Sequence, residues 1–497
     1  MTDSLQLELN LEREQNPHPY IQVSPEGYKG LSGFHKYWGK KPTEAWKFLI
    51  EHITEPKSIV LDPFLGSGLI AKECIDMNRR FIGFDINPIS IELSKLYLNP
   101  PSHLDMKNAV TALEHKIKDQ INTMYLLSNG SIATHFLWKN EKITKIWTKN
   151  GRRRTELDLE QEELLHFENV EKYIPQNFRD MQFFDNPRIN SKKNLSITDL
   201  FTPRALKAID LIKGEIQLFD SDVKRALLLI LSSSLGQMSK MVFAVSKRGK
   251  MKGQTIDKIE VGSWVIGYWR PEQHFEINAW NCFENKARKL LKAIHKLGLQ
   301  KRSILAQNLS DFLQSDADVH INVGDSESLL KKIPRNSIKV IITDPPHGDR
   351  IPYLELSEMW NSVIDLDSDY ANELVISNAK GRHKTIEKYN EKLESIFLEC
   401  SRVLENNGLL AVMFNARSES HWSSLHKLEH SASLNYIGCY PMEYSAGSVV
   451  QDTRQGGMKT DFVLLYGKNT SDEFLTYIIR VFSIISEWSS TYPRKLT

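Results

Sequence analysis

Two short segments place carboxylates where a parallel sheet could use them for chemistry. Asp344 ends an apolar run at 339–343 and is followed by Pro345 and Pro346. Consecutive prolines fix φ and carry no N–H, so a turn built from them offers carbonyl acceptors beside a carboxylate in a rigid frame. Asp62 likewise ends the apolar run SIVLD and opens the glycine turn DPFLGSG. These two turns are the first candidates for a binding or reaction site.

The glycine turn has the features of a ligand-binding loop. Gly66 and Gly68 permit positive φ and let a ligand approach the backbone without meeting a Cβ. Asp62, at the strand end, is placed to bind an ammonium group directly or through water. Asp85 ends the next apolar run and is expected to hold ribose hydroxyls. A lone glycine turn beside an acid can also merely shape a loop, and the GxGxxG pattern of dinucleotide-binding enzymes is missing here.

The elements that position these residues follow an α/β pattern. Short apolar runs predict strands at 58–62, 80–85, 339–344, 408–414 and 461–468. Helical periodicity predicts helices from about Leu69 to Met77, from about Ser90, and at 290–297 and 387–404, the last ending at Asn406-Asn407-Gly408. We expect a Rossmann-like, doubly wound and mostly parallel sheet with an antiparallel C-terminal strand.

This pattern is interrupted after Pro100-Pro101 by about 200 residues of mostly helical, charge-mixed sequence. We therefore predict four parts. They are a flexible N-terminal segment at 1–30, a first α/β half at 31–105, a helical insertion at 106–310, and a second α/β half with the C-terminal strands at 311–497.

Composition narrows the class of protein. The 497 residues are 41% hydrophobic and 25% charged, with a net charge of +2, so any basic surface must be local. The four cysteines are far apart and form no CxxC pair, which argues against disulfides and a metal site. The N-terminus lacks an apolar leader and no apolar stretch approaches membrane-spanning length. We expect a cytoplasmic protein with no contact to a membrane.

The cofactor segments resemble those of a known family. DPFLGSG and FIGFDINP (81–88) closely resemble the cofactor loop and second strand of the S-adenosylmethionine-dependent DNA amino-methyltransferases, which modify adenine N6 or cytosine N4. HKYWGKKP (35–42) resembles the family's segment beside the methionine end of the cofactor. INVGDSESLL (321–330) fits the segment whose acid binds the cofactor's adenine. The resemblance implies S-adenosylmethionine as cofactor, held by Lys41, Pro42, Asp62, Pro63, Phe64, Gly66, Ser67, Gly68, Asp85, Asn87 and Asp325.

The reaction segment resembles the same family's signature of Asp, Asn or Ser, then Pro-Pro and an aromatic residue. The resemblance implies that Asp344, Pro345, Pro346 and His347 are catalytic. An exocyclic amino group is a poor nucleophile because its lone pair is delocalised into the ring. Asp344 and a carbonyl of the turn would accept hydrogen bonds from the two N–H groups of this amino group and direct its lone pair at the methyl group. The residue after the prolines would stack on the extruded base. His347 departs from the usual aromatic residue and offers less stacking area.

Asp-Pro-Pro also occurs as a plain turn that closes a strand. Its position at a strand end, in the same chain as DPFLGSG, favours the catalytic interpretation.

Contacts to DNA are expected from the insertion and from the segment after the reaction turn. Lys247, Arg248, Lys250 and Lys252 form a glycine-broken basic run that either contacts phosphates or is simply solvated. Arg350, Tyr353 and Trp360 are candidates for the DNA groove, although Arg350 could be a surface ion-pair partner and Trp360 a core residue. The loop at 444–466 is expected to cover the active site.

The sequence thus predicts a site-specific DNA methyltransferase whose target-recognition region is the insertion. Asp before Pro-Pro favours adenine N6 over cytosine N4. Cytosine C5 chemistry needs a nucleophilic Cys, and none follows a proline at a strand end. The expected context is restriction-modification or phage defence, with DNA as partner and a cognate restriction endonuclease as a candidate partner. The alternatives are an RNA (tRNA) amino-methyltransferase and a catalytically silent DNA-binding subunit.

Overall fold

The computed structural model describes most of the chain. The described residues are 21–22, 28–151, 153–158, 160–246, 250–251, 254–255, 259–264, 266–298, 301–348, 351–415, 434–443 and 460–476, with the single positions 425, 428, 432 and 478. The predicted flexible segment at 1–30 and the predicted covering loop at 444–466 fall largely outside these residues.

The elements alternate between strands and helices at both ends of the chain. In chain order they are β1 (Ile21–Gln22), α1 (Thr43–Ile53), β2 (Ile59–Asp62), α2 (Leu69–Asp76), β3 (Arg80–Asp85), α3 (Pro88–Leu98), α4 (His103–Thr123), β4 (Ala133–Lys139), β5 (Lys142–Asn150), β6 (Arg153–Leu157), α5 (Gln161–Glu168), α6 (Pro203–Ile216), α7 (Ser221–Met238), β7 (Ala244–Ser246), β8 (Lys250–Met251), β9 (Gln254–Thr255), β10 (Ile259–Val261), β11 (Gln273–Ile277), α8 (Ala279–Leu297), α9 (Leu309–Gln314), β12 (Val319–Val323), α10 (Ser326–Leu330), β13 (Ile338–Thr343), α11 (Tyr353–Val363), α12 (Ile386–Val403), β14 (Leu404–Phe414), β15 (Leu434–Glu443) and β16 (Thr460–Lys468).

The central sheet joins the two ends of the chain. Its eight strands lie in the order β1-β15-β16-β14-β13-β2-β3-β12. Neighbours from β14 to β12 pair in parallel, whereas β16 pairs antiparallel with both β14 and β15. The predicted doubly wound α/β sheet with an antiparallel C-terminal strand is therefore confirmed.

The order of the strands creates a crevice at one edge of the sheet. From β2 the chain moves outward through β3 to β12, and it then returns to place β13 and β14 on the other side of β2. The strand order reverses between β2 and β13, and open α/β sheets bind ligands at the carboxyl ends of strands around such a point. Asp62 ends β2 and Asp344 directly follows β13, so both candidate turns open at this crevice.

One predicted helix end differs in the structure. Asn407 has a φ of +58°, the left-handed value expected at a helix stop. However, α12 already ends at Val403, and Asn407 lies in β14. The ladder between β13 and β14 is irregular between Ile338 and Val340. The left-handed residue therefore belongs to a strand irregularity and not to a helix cap.

The segment between α3 and β12 contains helices and also a sheet that the sequence analysis did not anticipate. Four strands pair antiparallel in the order β11-β4-β5-β6. Asn140 and Glu141 both have positive φ in the turn between β4 and β5. Asn150-Gly151, between β5 and β6, is a strong hairpin signal that could have predicted part of this sheet.

The intervening helices pack onto the α/β part rather than standing apart from it. Helix α7 packs against α3 and α11. His35, upstream of α1, lies 3.0 Å through its Nε2 from the hydroxyl of Ser232 in α7. The segment is therefore attached to helices on both sides of the interruption. The four-part division at 30, 105 and 310 stays a prediction. No helix among the described residues is long and apolar enough to cross a membrane.

Candidate active site

The glycine turn after β2 is shaped by the carboxylate that precedes it. Oδ1 of Asp62 accepts hydrogen bonds from the backbone N–H of Phe64 (2.9 Å) and from the hydroxyl of Thr343 (2.7 Å), the last residue of β13. This contact ties the ends of β2 and β13 together beneath the turn. The other oxygen, Oδ2, is buried without a hydrogen-bond partner among the described residues, and burial raises the pKa of Asp62 to about 7.

Two glycines of the turn have positive φ, at +56° for Gly66 and +77° for Gly68. A Cβ added to Gly68 would lie 1.9 Å from the Ser94 hydroxyl of α3, so only glycine fits there. Gly68 thus serves close packing between the turn and α3, whereas a Cβ at Gly66 would make only ordinary contacts, at 3.7 Å to Phe64 and 3.8 Å to Tyr37, so the positive φ is what favours glycine there. Glycine is therefore favoured at the two positions for different physical reasons.

Asp85, at the end of β3, faces the turn directly. Its Oδ2 accepts from the N–H of Gly66 (2.6 Å) and its Oδ1 accepts from the N–H of Asn87 (2.8 Å). Burial raises the pKa of Asp85 to about 7, although both N–H bonds act in the opposite direction. This carboxylate lies in the position expected for one that receives ribose hydroxyls.

A cleft opens above these strand ends. It is lined by Lys41, Phe64, Gly66, Ser67, Asp85 and Asp325 from the predicted cofactor set, together with Asp344 and Pro346 from the predicted reaction turn. Residues of both predicted sites therefore share one cavity, although the two turns are almost 300 positions apart.

The other members of the two predicted sets do not line this cleft. They are Pro42, Asp62, Pro63, Gly68, Asn87, Pro345 and His347. Several of them support the lining residues instead. The Pro63 carbonyl accepts from the hydroxyl of Ser326 (2.6 Å), and the fully buried Asn87 donates to the hydroxyl of Ser357 (2.8 Å). These contacts of Pro63 and Asn87 are structural.

Asp325 caps α10, with Oδ2 accepting from the N–H of Ser328 at 3.1 Å. Its Oδ1 lies 2.7 Å from Nζ of Lys392. Burial opposes ionisation of Asp325, but the Lys392 and Ser328 hydrogen bonds outweigh it and lower the pKa. Lys392 also lines the cleft, so Asp325 enters it as half of an ion pair.

The reaction carboxylate lies in a network of charged groups. Oδ1 of Asp344 is 3.2 Å from Nζ of Lys41 and 2.8 Å from Nε2 of His347. Lys41 also pairs with Asp461 of β16 at 2.9 Å. The turn itself is held through the Pro346 carbonyl, which accepts from the N–H of Gly348 at 2.9 Å and from the hydroxyl of Tyr389.

Several cleft residues were not singled out in the sequence. Tyr37 and Trp38 line the cleft within the segment HKYWGKKP. Glu373 lines it from the connection between α11 and α12 and is paired at 2.7 Å with the buried Arg382. The acid Asp461 is missed as well. Of these residues, only Tyr37 and Trp38 could have been found from the sequence, because they lie inside the segment HKYWGKKP.

The residues proposed for the DNA groove have different positions. Tyr353 lines the cleft and stacks on Tyr37, with ring centroids 6.0 Å apart. Trp360 is 1% exposed and stacks on Trp38 at 4.5 Å, so it is a core residue. Arg350, Lys247, Arg248 and Lys252 lie outside the described residues, as does the side chain of Lys250.

No group of His, Cys, Asp and Glu side chains that could hold a metal ion occurs within the described ranges. The four cysteines are free, and Cys74, Cys282 and Cys400 are buried. Burial raises the pKa of the Cys282 thiol to about 12, which disfavours a nucleophilic thiolate there.

Comparison with known proteins finds similarity to DNA methyltransferases. The DNA methylase family matches residues 9–96, which include the glycine turn and Asp85. The type II methyltransferase M.MjaII of Methanocaldococcus jannaschii is 22% identical over 433 residues, which is 78% of this chain and 73% of that protein. M.HindIII of Haemophilus influenzae is 34% identical over 76 residues, but this match covers only 14% of this chain and 24% of M.HindIII.

Among solved structures, the rRNA methyltransferase AviRa of Streptomyces viridochromogenes aligns over 90% of this chain and 91% of its own, with 9% identity. Its TM-score of 0.26 is too low for the likeness to bear on the fold. The family match and the type II relatives confirm the resemblance predicted from the motifs, together with S-adenosylmethionine as the cofactor. The chain is thus similar to the DNA amino-methyltransferases.

Proposed function

We propose that this chain transfers the methyl group of S-adenosylmethionine to an exocyclic amino group of a base in DNA, with adenine N6 as the favoured acceptor. The observation that carries the proposal is the shared cleft. Asp344 and Pro346 line the same cavity as Gly66, Ser67 and Asp85. A methyl donor bound at the glycine turn and an amino group held at Asp344 would therefore meet in one enclosed space, as a direct transfer requires.

The turn also indicates which acceptors the amino group would use. The carbonyl of Pro346 is already engaged by Gly348 and Tyr389. We infer that the second acceptor, beside the Asp344 carboxylate, is another backbone carbonyl of this turn. Two acceptors in this rigid turn would accept hydrogen bonds from both N–H groups of the amino group. The nitrogen lone pair would then point at the methyl carbon.

Transfer of labelled methyl groups to DNA and to tRNA, followed by nucleoside analysis, tests the proposal. We expect N6-methyladenine in DNA. If the product is N4-methylcytosine, the proposed mechanism still holds and the target base is cytosine instead of adenine. Methylated tRNA with unmethylated DNA would support the RNA alternative. Cofactor binding without transfer to either would support the silent subunit. The type II relatives favour a restriction-modification context, which co-purification with an endonuclease would test.

The first prediction concerns Asp85. Replacing it with alanine removes the carboxylate that would accept the ribose hydroxyls, so cofactor affinity should fall by about 1–3 kcal/mol. Isothermal titration calorimetry measures this directly. Asp76→Ala is the matched control, because Asp76 pairs with Lys72 on the helix surface, and its affinity should stay at the wild-type value. If the cofactor affinity of Asp85→Ala is unchanged, the ribose of the cofactor does not bind at Asp85.

A basic cluster beside the cleft is a candidate contact for the DNA backbone. We define the lysine cluster as Lys36, Lys40, Lys286 and Lys289. Nζ of Lys36 lies 4.5 Å from the centre of the Trp264 ring, and Lys40, which lines the cleft, donates to the carbonyls of Ser32 and His35 at 2.9 and 2.8 Å. Among the described residues these ammonium groups have no carboxylate partner.

The lysines of this cluster are close enough to affect one another. Burial and then the neighbouring Lys289 lower the pKa of Lys40 to about 7, and burial and then Lys286 lower the pKa of Lys36 to about 8. A phosphodiester bound between them would relieve this repulsion, which supports a role in DNA binding.

The second prediction tests this role. Lys36→Gln, Lys286→Gln and Lys289→Gln together should weaken DNA binding and flatten the slope of log K against log salt by about 0.9 for each phosphate that the variant no longer neutralises. Cofactor affinity should not change. The control removes three lysines that pair with acids outside the insertion, namely Lys72, Lys95 and Lys331. Equal slopes in the two triple variants would exclude the lysine cluster from the DNA interface.

A further inference from the structure

The reaction carboxylate belongs to a closed ring of polar contacts from four parts of the chain, which is completed by the main-chain carbonyl of Asn415. We call the five members the carboxylate ring: Lys41, Asp344, His347, Asn415 and Asp461. Lys41 bridges Asp344 (3.2 Å) and Asp461 (2.9 Å), and the side-chain amide of Asn415 donates to Asp461 at 3.1 Å. His347 closes the ring between the Asn415 carbonyl (2.6 Å) and Asp344 (2.8 Å).

Both edges of the His347 imidazole face oxygen acceptors. Nδ1 faces a carbonyl, which can only accept, so this nitrogen must donate. Nε2 lies 2.8 Å from a carboxylate oxygen, and at that distance a proton must lie between the two atoms. If that proton belongs to the imidazole, the ring contains two cations and two carboxylates, and its formal charges cancel.

The flat faces of His347 are poorly placed to receive a base. The imidazole stacks on Phe414, with centroids 5.1 Å apart and planes at 21°. Its side chain is 10% exposed, and it is not among the residues that line the cleft. His347 therefore occupies the motif position of a stacking aromatic residue without the exposure that stacking on a flipped base requires.

The contacts of Asp344 show what His347 does instead. Within the described part of the chain, His347 forms a hydrogen bond and Lys41 forms an ion pair with Oδ1 of Asp344, and no described side chain forms a hydrogen bond with Oδ2. A hydrogen bond and an ion pair on one oxygen restrict the rotation of the carboxyl group and leave the second oxygen available, and Asp344 lines the cleft. An acceptor oriented before the substrate arrives needs no reorganisation during the reaction.

We propose that His347 is a positioning residue, which orients Asp344 by donating to Oδ1 so that Oδ2 accepts the target amino group. Lys41 acts on the same oxygen and is anchored by Asp461. This inference rests on the proposed function for its substrate, but the arrangement of protons in the carboxylate ring can be measured without any substrate.

Two substitutions distinguish positioning from stacking. His347→Phe keeps a flat ring against Phe414 and removes both donors, whereas His347→Gln keeps a donor within reach of Asp344 and removes the ring. We expect His347→Phe to lower kcat by about 100-fold, the usual effect of losing one oriented donor. KM for DNA and cofactor affinity should stay near wild type, and His347→Gln should retain most of the activity.

The opposite order would overturn the proposal. If His347 stacks on the base, His347→Phe keeps or improves transfer, and His347→Gln loses it mainly through KM for DNA. His52→Phe is the matched control, since His52 lies at the end of α1, outside the insertion, and its ring also stacks on a phenylalanine, Phe48. Its transfer rate should not change. Thermal unfolding of all three variants identifies any loss of folded protein.

A measurement without activity separates this inference from the proposed function. In the nitrogen–proton spectrum of histidine-labelled protein, His347 should show two ring N–H signals, both missing in His347→Gln. A single ring N–H signal from His347 would overturn the positioning role, whatever the substrate. If His347 shows two signals but the protein methylates no DNA, the arrangement of the carboxylate ring is supported and the proposed DNA substrate is wrong.

Discussion

Asp344→Ala should bind S-adenosylmethionine almost normally and yet lose nearly all methyl transfer, by about 1,000-fold or more in kcat. The reason is that, in the proposed function, the carboxylate would stabilise the amino group mainly in the transition state, and the loss of such an interaction appears in kcat rather than in cofactor affinity. Lys41 keeps its partner Asp461 in this variant, so no buried ammonium is left unpaired. Single-turnover transfer of a labelled methyl group and calorimetric cofactor binding measure the two quantities separately.

Two related variants sharpen this test. Asp344→Asn keeps one acceptor oxygen without the charge and should show weak residual activity. Asp367→Ala removes a surface acid paired with the exposed Arg179 and should be fully active. An Asp344→Ala protein with near wild-type transfer would move the reaction site away from the Pro-Pro turn.

Glu276→Ala should lower the free energy of unfolding by about 3–5 kcal/mol, because it leaves a buried guanidinium without its counter-ion. Glu276 receives two hydrogen bonds from Arg204, at 2.9 and 2.7 Å, and further bonds from Thr202 and Trp138, both at 2.9 Å. The Arg204 side chain is 4% exposed and that of Glu276 is fully buried. Denaturant unfolding followed by circular dichroism measures the loss.

The control for this prediction is Glu114→Ala. Glu114 pairs with Lys118 on the surface of α4, and exposed pairs of this type contribute about 0–1 kcal/mol. The double variant Arg204→Met, Glu276→Leu should recover much of the lost stability, since it removes the unpaired charge and keeps apolar volume against the four surrounding aromatic rings. A cost equal to that of Glu114→Ala would show that the buried pair is not needed to hold α6 against β11.

Local sequence was sufficient for the elements that carry the two turns. The predicted strand 80–85 coincides with β3, and strand 58–62 and the helix from Leu69 match β2 and α2 within one residue at either end. These assignments succeeded because short apolar runs, glycines and prolines act through the torsion angles and burial of near neighbours. The small antiparallel sheet was missed because its strands are mixed with polar residues, and one of its turns, Asn140-Glu141, has no glycine.

The cleft required more than local sequence, because its walls come from strands that are adjacent in space and distant in the chain. Lys41 and Asp461 are 420 positions apart and meet only because β16 lies beside β14, on the same side of β2 as β13. The role of His347 has the same origin. Its position in the motif indicates a stacking residue. In the structure, however, Phe414 at the end of the neighbouring β14 stacks on the imidazole, and the main-chain carbonyl of Asn415 accepts a hydrogen bond from Nδ1.

The sequence by itself determined the α/β class, the two strand-end turns and the family. Each of these depends on residues within about ten positions of one another. Tertiary structure alone decided which predicted residues face the cleft, which ones support it, and which oxygen of Asp344 stays available. Those features depend on the order of strands in the sheet, and no local torsion angle or hydrophobic pattern encodes that order.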